Sequence, residues 1–494
     1  MTPIITRKLT SEPRPFKIHM EYASLGIENL VSQQYLSNMK ILLTEIAEFF
    51  SKLILSIDGD IRLNVDPAVA SQCYSGSPLQ FSQDVINGIY TDLIVIPVIS
   101  GELPESTEAA AGPCLFLPNR RPGLGIMYLG KEYDFSNPLA LKYVKTVIAH
   151  EMMHILGFMG VLFQTYQNPP TIITKTINGV ERILISTPKI LEIAKKHFGC
   201  NSIEGIEIED QGGDGSAGSH WEARIMLGDF MISTVYPEFV ISEITLALLE
   251  DSGWYKVNYY TGGLFTFGKN QGCDFLNKPC YEGEGTRFPN DFCVPYTNRC
   301  FAGHRDRGTC ALFQYVEQLP EEYQYFDKEG PYVGGFQPAD FCPVVFAQIE
   351  QNGQYFITNC QDGILVQDSP DRDEVVGFDS ICVDSSLDKN RIFAGTRGTC
   401  YQVSCDFESL TFNITVGSHN ITCGQNMPEE QTVEGYYGSL KCPKFGRVCN
   451  SQIRCTDMFD CVAKKATNSW VINGQTYQKV SFFSLFVLVI AMIV

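Results

Sequence analysis

Polar and apolar residues alternate from Lys17 to Tyr22 (KIHMEY), the period of a strand with one buried face. From Leu30 to Leu55 the spacing lengthens to that of an amphipathic helix. Asp92 to Ile99 (DLIVIPVI) is an apolar run bounded by turn residues, the pattern of a buried strand. The next patterned stretch reads DFSNPLALKYVKTVIAHEMMHILGF. Asn137 followed by Pro138 marks a helix start with Pro in its first turn. Leu141, Val144, Ile148 and Ile155 give that helix a buried face, and Gly157 is its natural stop. Strands followed by such a helix predict an α+β or α/β unit over residues 1–158. Residues 159–262 read as a second unit, with a long Gly-rich loop, IEDQGGDGSAGSHWE, that delivers a histidine. From Gly263 to Lys465 periodic segments give way to Cys, Gly, Pro and aromatics. That region repeats itself, NRCFAGHRDRGTC at Asn298–Cys310 and NRIFAGTRGTC at Asn390–Cys400, each preceded by a Cys-Val pair, at Cys293 and Cys382. Two copies of a disulfide-stapled module are expected there, then a spacer and tail over 466–494.

Composition changes this picture at three points. With 44 % hydrophobic and 19 % charged residues in 494, the chain has core-forming material for several globular units. The formal charge of −19, with no basic run, excludes nucleic acid as an expected partner. There are 18 cysteines, and all but Cys73, Cys114 and Cys200 follow Gly263. No C-x-x-C pair occurs, so their number and clustering predict disulfides formed in an oxidising compartment rather than zinc knuckles. Sequons at Asn413 and Asn420 agree with passage through the secretory pathway.

The ends add a membrane expectation. The last residues, VSFFSLFVLVIAMIV from Val480, are uncharged but short for a span, which wants ~20 apolar residues. They suit a GPI-attachment tail behind the small residues Ala466, Thr467, Asn468 and Ser469, with a short tail anchor as the alternative. The first residues lack the apolar run of a signal peptide, so an entry signal is expected upstream of them.

The candidate chemistry lies in HEMMH. Residues four apart on a helix sit on neighbouring turns of one face, so His150 and His154 can present imidazole nitrogens to one metal. Glu151 would stand beside a water on that metal. Zinc lowers the pKa of such a water towards ~7, and Glu151 can take its proton and pass it to a leaving amine. A catalytic zinc wants a third protein ligand. The pattern H-E-x-x-H-x-x-G-x-x-H fits Gly157 but expects His at position 160, which is Gly. That leaves an inactive enzyme or a different clan of zinc protease. Of the other histidines, His19 falls on the first strand and His304 and His419 in the Cys-rich region. His197 reads as a helix C-terminal His, favourable against the dipole. His220 ends the Gly-rich loop and is followed by Met231 in DFMIST, a pattern compatible with the methionine turn of metzincins.

HEMMHILGF, a long insertion, and then GSHWEARIMLGDFM resemble the leishmanolysin family of surface metalloproteases. The resemblance implies a metzincin-type α+β catalytic core, made of an N-terminal and a central subdomain, followed by a disulfide-rich C-terminal region. It implies one Zn2+ per chain on His150, His154 and His220, with Glu151 as acid/base, Met231 as the methionine turn and Gly157 turning the chain after the helix. It further implies a Cys73–Cys114 disulfide, protein or peptide substrates, and an extracellular location, secreted or GPI-anchored to the membrane. The family's inhibitory pro-segment carries a Cys, and here no Cys precedes Cys73, so latency cannot be read from this sequence. Two other functions stay in view: a catalytically silent adhesion protein on the same scaffold, and a purely structural zinc site. Structural sites normally close all four positions with protein ligands, whereas three His beside a Glu leave one open.

Overall fold

The computed structural model describes residues 12–478 apart from short stretches, of which 350–354, 362–369 and 450–454 are the longest. The apolar tail from Val480, and the GPI signal expected in it, lie outside the described residues.

The N-terminal sheet grows from the runs predicted as strands and from two that lack their alternation. Strand β1 (Ile18–Met20) lies parallel to β2 (Leu93–Ile99), β2 parallel to β4 (Pro122–Leu129), and β4 antiparallel to β3 (Ala109–Phe116), in the order β1-β2-β4-β3. The alternation through Tyr22 is cut short because Tyr22–Ser24 winds into a single 3-10 turn, capped by the Glu21 carboxylate. The sheet is covered by two helices. α1 (Gln33–Leu53) begins at Ser32, whose hydroxyl accepts from the Tyr35 N–H. Its buried stripe of Met39, Leu42, Leu43, Ile46 and Phe50 keeps the helical period. Before Ile54 the chain leaves the helix for an extended strand at Ile54–Ser56. α2 (Pro138–Leu156) starts after Asn137, whose side chain accepts from the Ala140 N–H at 3.4 Å. It is buried through Ile148, Ala149, Met152, Met153 and Ile155 and packs on β3 and β4. The approach is close at Gly125, where a Cβ would fall 2.4 Å from Ile155 Cγ2.

After α2 a hairpin of β5 (Thr171–Ile177) and β6 (Val180–Ser186) pairs with β7 (Ile206–Glu207). α3 (Pro188–Phe198) joins β6 to β7 and packs against α4 (Glu243–Asp251). One continuous apolar core runs from Phe16 through α2 and α4 into the Cys-rich region and as far as Val462.

All 18 cysteines are paired, in nine disulfides. Cys73 joins Cys114 at the edge of the N-terminal sheet. The two sequence repeats do not fold as two separately stapled modules. The first is a hairpin of β8 (Asn298–Cys300) and β9 (Asp306–Cys310) closed by Cys293–Cys310. In the second, Cys382 on β10 (Ser380–Ser385) bonds back to Cys300 of the first, and Cys400 on β11 (Arg397–Asp406) bonds to Cys360. The physical reason is size: so short a segment cannot bury a core of its own. The copies therefore share one, close enough that a Cβ on Gly398 would meet Arg307 Cβ at 2.7 Å. β12 (Thr411–Val416) and β13 (His419–Gly424) extend the second sheet.

Candidate metal centre

Helix α2 puts His150 and His154 on one face, and the loop after β7 brings His220 to them across the insertion. The His150 Nε2 atom stands 3.0 Å from His154 Nε2 and 3.1 Å from His220 Nε2. Each ring is aimed by its other nitrogen. The Nδ1 of His150 meets the Phe230 carbonyl at 2.5 Å, that of His154 the Phe158 carbonyl at 2.6 Å, and that of His220 the Ser216 carbonyl at 2.8 Å. A carbonyl only accepts, so each Nδ1 carries the proton and each Nε2 turns a lone pair towards its neighbours. Three lone pairs facing one another have no donor among them. A cation satisfies all three, and ligands at ~2.0–2.1 Å on a four-coordinate ion stand only about 3.3 Å apart. The donor set fits one zinc-sized ion.

Burial keeps the rings neutral. It pushes His154 down to about 3, with His220 adding to the effect, and holds His150 well below its ordinary value and His220 below it too. Glu151, buried on the same helix, is pushed up to about 8 by loss of solvent, countered in part by the Ala111 backbone N–H on β3. A carboxyl that gives up its proton near neutrality can serve as both base and acid.

The turn after His220 ties both halves together. Phe230 supplies the carbonyl that orients His150, and the next residue, the fully buried Met231, accepts from the N–H of Trp221, the neighbour of His220. The buried Asp229 carboxylate receives the Met231 and Ser242 N–H groups and the Thr245 hydroxyl, which fixes the turn against α4. Gly157 ends α2 with φ 128, a conformation that favours glycine, and a Cβ there would press on Trp254 at 2.9 Å. Gly160, where the shorter motif places a ligand, lies directly under the incoming loop. Its N–H reaches the Ser219 hydroxyl at 3.3 Å, and a Cβ on it would fall 2.4 Å from the Gly218 carbonyl oxygen. The loop that delivers His220 thus occupies the space a side chain at 160 would need.

His197 takes no part in the centre. It closes α3, but the carbonyl ends of that helix are met by backbone, the Asn270 N–H on His197 and the Gly272 N–H on Phe198. The ring bonds the Phe267 carbonyl through Nε2 at 2.7 Å. Burial, with the charges of Lys269 and Arg447, pushes it down to about 4. His197 does stand in the last turn of a helix as expected, but burial holds its ring neutral, so the favourable interaction with the dipole is corrected. The three carbonyls that aim the ligand rings had no signal in the sequence, because any residue type carries one.

Three imidazoles converging on one point, with a buried carboxylate between two of them in the HExxH sequence, form a group that could hold a single metal ion. The leishmanolysin family model matches residues 74–455, and the chain belongs to that metalloprotease family. A leishmanolysin-like peptidase of Drosophila melanogaster is 28 % identical over 407 residues, covering 67 % of this chain and 59 % of the fly protein. Leishmanolysin of Leishmania tropica is 28 % identical over 393 residues, 75 % of this chain and 56 % of its own. A leishmanolysin homolog of Crithidia fasciculata is 26 % identical over 392 residues, 74 % and 56 %. The chain spans under three fifths of the length of these curated relatives.

Proposed function

We propose that this protein is a zinc-dependent endopeptidase, with His150, His154 and His220 holding one zinc per chain and Glu151 moving the protons. The observation that carries the reading is the convergence of three Nε2 lone pairs, each ring pinned by a backbone carbonyl, beside Glu151. A zinc ion held there supplies Lewis acidity towards a peptide carbonyl and towards water. Glu151 takes a proton from the attacking water at its carboxylate and returns it to the departing amine, so no covalent bond to the protein forms. Met231 and Asp229 keep the Phe230 carbonyl on His150 while this happens.

Substrate binding falls to β3. Among the described residues it is the outer strand of its sheet, paired with β4 alone, and the Ala111 N–H on it reaches the Glu151 carboxylate. An extended peptide can add to that edge by main-chain hydrogen bonds, a mode that suits protein and peptide substrates. We read residues 1–158 and 159–262 as the two metzincin subdomains flanking this cleft and 263–465 as the Cys-rich region. Nine disulfides suit an oxidising, extracellular setting. Asn413 and Asn420 lie on the hairpin of β12 and β13, each with its oxygen bonded to a Thr across the strands, a surface open to glycosylation. The C-terminal tail would act as a signal for GPI attachment, itself removed as the glycolipid is added, with a secreted protein as the alternative.

The test compares wild type with Glu151→Ala for bound zinc and for cleavage of a quenched-peptide library. One zinc in both proteins, and a loss of about 10²–10⁴-fold in cleavage only in the variant, is the expected result. Zinc in both with cleavage in neither favours the silent adhesion scaffold; no zinc in either removes the centre.

A further inference from the structure

The loop that carries His220 is fastened by a buried ion network, and one member of it comes from far outside the catalytic half. Arg182 projects from β6 of the inserted hairpin, Glu207 from β7, Glu209 and Asp210 from the stretch before the Gly-rich loop, and Glu222 and Arg224 from just after His220. Asp340, fully buried, comes from the Cys-rich region. Its Oδ2 takes Arg182 Nη2 at 2.5 Å and stands 3.2 Å from Arg224 Nε, while its Oδ1 accepts from Gln211 Nε2 at 2.9 Å. Arg182 also reaches Asp210 Oδ2 at 3.0 Å, and Arg224 reaches Glu207 Oε1 at 2.5 Å. Asp340 and Glu207 each pair with both guanidiniums, Glu207 standing 3.9 Å from Arg182 Nε, and of the two only Asp340 comes from the Cys-rich region.

The network acts on the backbone that holds the ligand. Residues 207–209 run antiparallel to 220–222. The Glu209 N–H donates to the His220 carbonyl at 2.9 Å, the Glu222 N–H to the Glu207 carbonyl at 3.1 Å, and the Gly218 N–H to the Glu209 carbonyl at 2.8 Å. Arg182 and Arg224 therefore grip both strands of this small pair from one side, and Asp340 grips the arginines. Removing one partner from a set of buried charges leaves another without compensation, so the set rearranges. The nearest thing to rearrange is the short strand pair that carries His220.

We propose that Asp340 is a positioning residue for the metal: through Arg182 and Arg224 it lets the Cys-rich region set the place of His220, so that zinc affinity depends on a domain that supplies no ligand. This rests on His220 being the third ligand. The Cys280–Cys342 disulfide, two residues from Asp340, anchors it to the start of the Cys-rich region.

The experiment measures zinc affinity of the full chain by competition with a chromophoric chelator. The variants are Asp340→Asn, Arg182→Lys, His220→Ala and Asp291→Asn. Asp291 serves as control because it makes an equally buried pair with Arg447, 2.8 Å apart, within the same region but away from the network. The expected result is zinc binding weakened about 10–100-fold by Asp340→Asn, the range for residues that orient metal ligands, and unchanged by Asp291→Asn. Arg182→Lys keeps the charge but cannot fork between Asp210 and Asp340, and it should weaken zinc in the same direction even where Asp340→Asn fails to fold. Wild-type zinc affinity in both network variants, or equal weakening by Asp291→Asn, overturns the proposal. Unaltered zinc binding in His220→Ala overturns instead the ligand assignment beneath it.

Discussion

The two halves of the proposed metal centre are built by different means. His150 and His154 are brought together by one helix, four residues apart on one face between a proline start and a glycine end, and from outside that helix the His150 ring takes one carbonyl, that of Phe230. His220 needs much of the molecule. Its loop is shaped by the hairpin insertion, closed over Gly160, tied to the turn at Met231 through Trp221 and gripped by charges from two further regions. One half is local and rigid, the other conditional on tertiary packing. Disturbing the helix should cost stability before it costs metal. Disturbing the loop should cost metal first.

The largest separation of the two effects is expected at Gly160. An added Cβ meets the backbone oxygen of Gly218, which cannot rotate away as a side chain could, so Gly160→Ala must displace the loop. Zinc affinity should fall about tenfold or more, as for lost support of a ligand. Chelator competition measures it, and a wild-type value would show that the loop has slack. Gly125→Ala applies the same perturbation on the other side. Its Cβ presses on the Ile155 side chain, which can repack while α2 keeps His150 and His154 in place. Overpacking of this kind costs about 1–3 kcal/mol of stability, measurable by denaturant unfolding, while zinc affinity holds. Equal loss of metal in both variants would erase the distinction. A third variant, Gly157→Ala, joins a strained positive φ to contact with Trp254. It should destabilise by about 1–3 kcal/mol and disturb His154, whose ring rests on the adjacent Phe158 carbonyl.

The same division governs what could be read from the chain. α2 was legible because its signals are short-range: Asn137–Pro138, the apolar stripe and Gly157 all lie within one element. So was α1, whose predicted span exceeds the observed Gln33–Leu53 only at the ends. β3 and β4 were not, since AAAGPCLF and PGLGIMYL lack alternation; glycine and alanine stand there so that α2 can lie close. The Gly-rich loop could be seen to deliver a histidine, but not where. Its place depends on Arg182 and Asp340, which are ordinary charged residues until the fold sets them side by side. The disulfides followed the same rule. Cysteine number and clustering pointed to a framework, while the bond from Cys382 to Cys300 needed the two repeats to share one core.

His197 gives the smallest effect and the sharpest sign. As a charged residue favoured by a helix C-terminus it would have a raised pKa, and its contribution to stability would be lost as pH rises. In the fold its pKa is depressed to about 4 from an ordinary 6.5, because burial opposes the charge and Lys269 and Arg447 add to that opposition. The neutral ring is the one the fold holds. Its contribution is then complete above about pH 6.5 and is lost as pH falls through that value towards about 4, where the folded form too takes up the proton. His197→Gln keeps a donor for the Phe267 carbonyl and removes the titration. Thermal unfolding between pH 7 and pH 4.5 should fall less steeply for the variant than for wild type, and groups common to both proteins cancel in the difference. Parallel curves would mean that the ring is not held neutral, and a steeper fall in the variant would restore the dipole reading. The outcome should leave zinc affinity at pH 7 untouched, since His197 touches neither half of the centre.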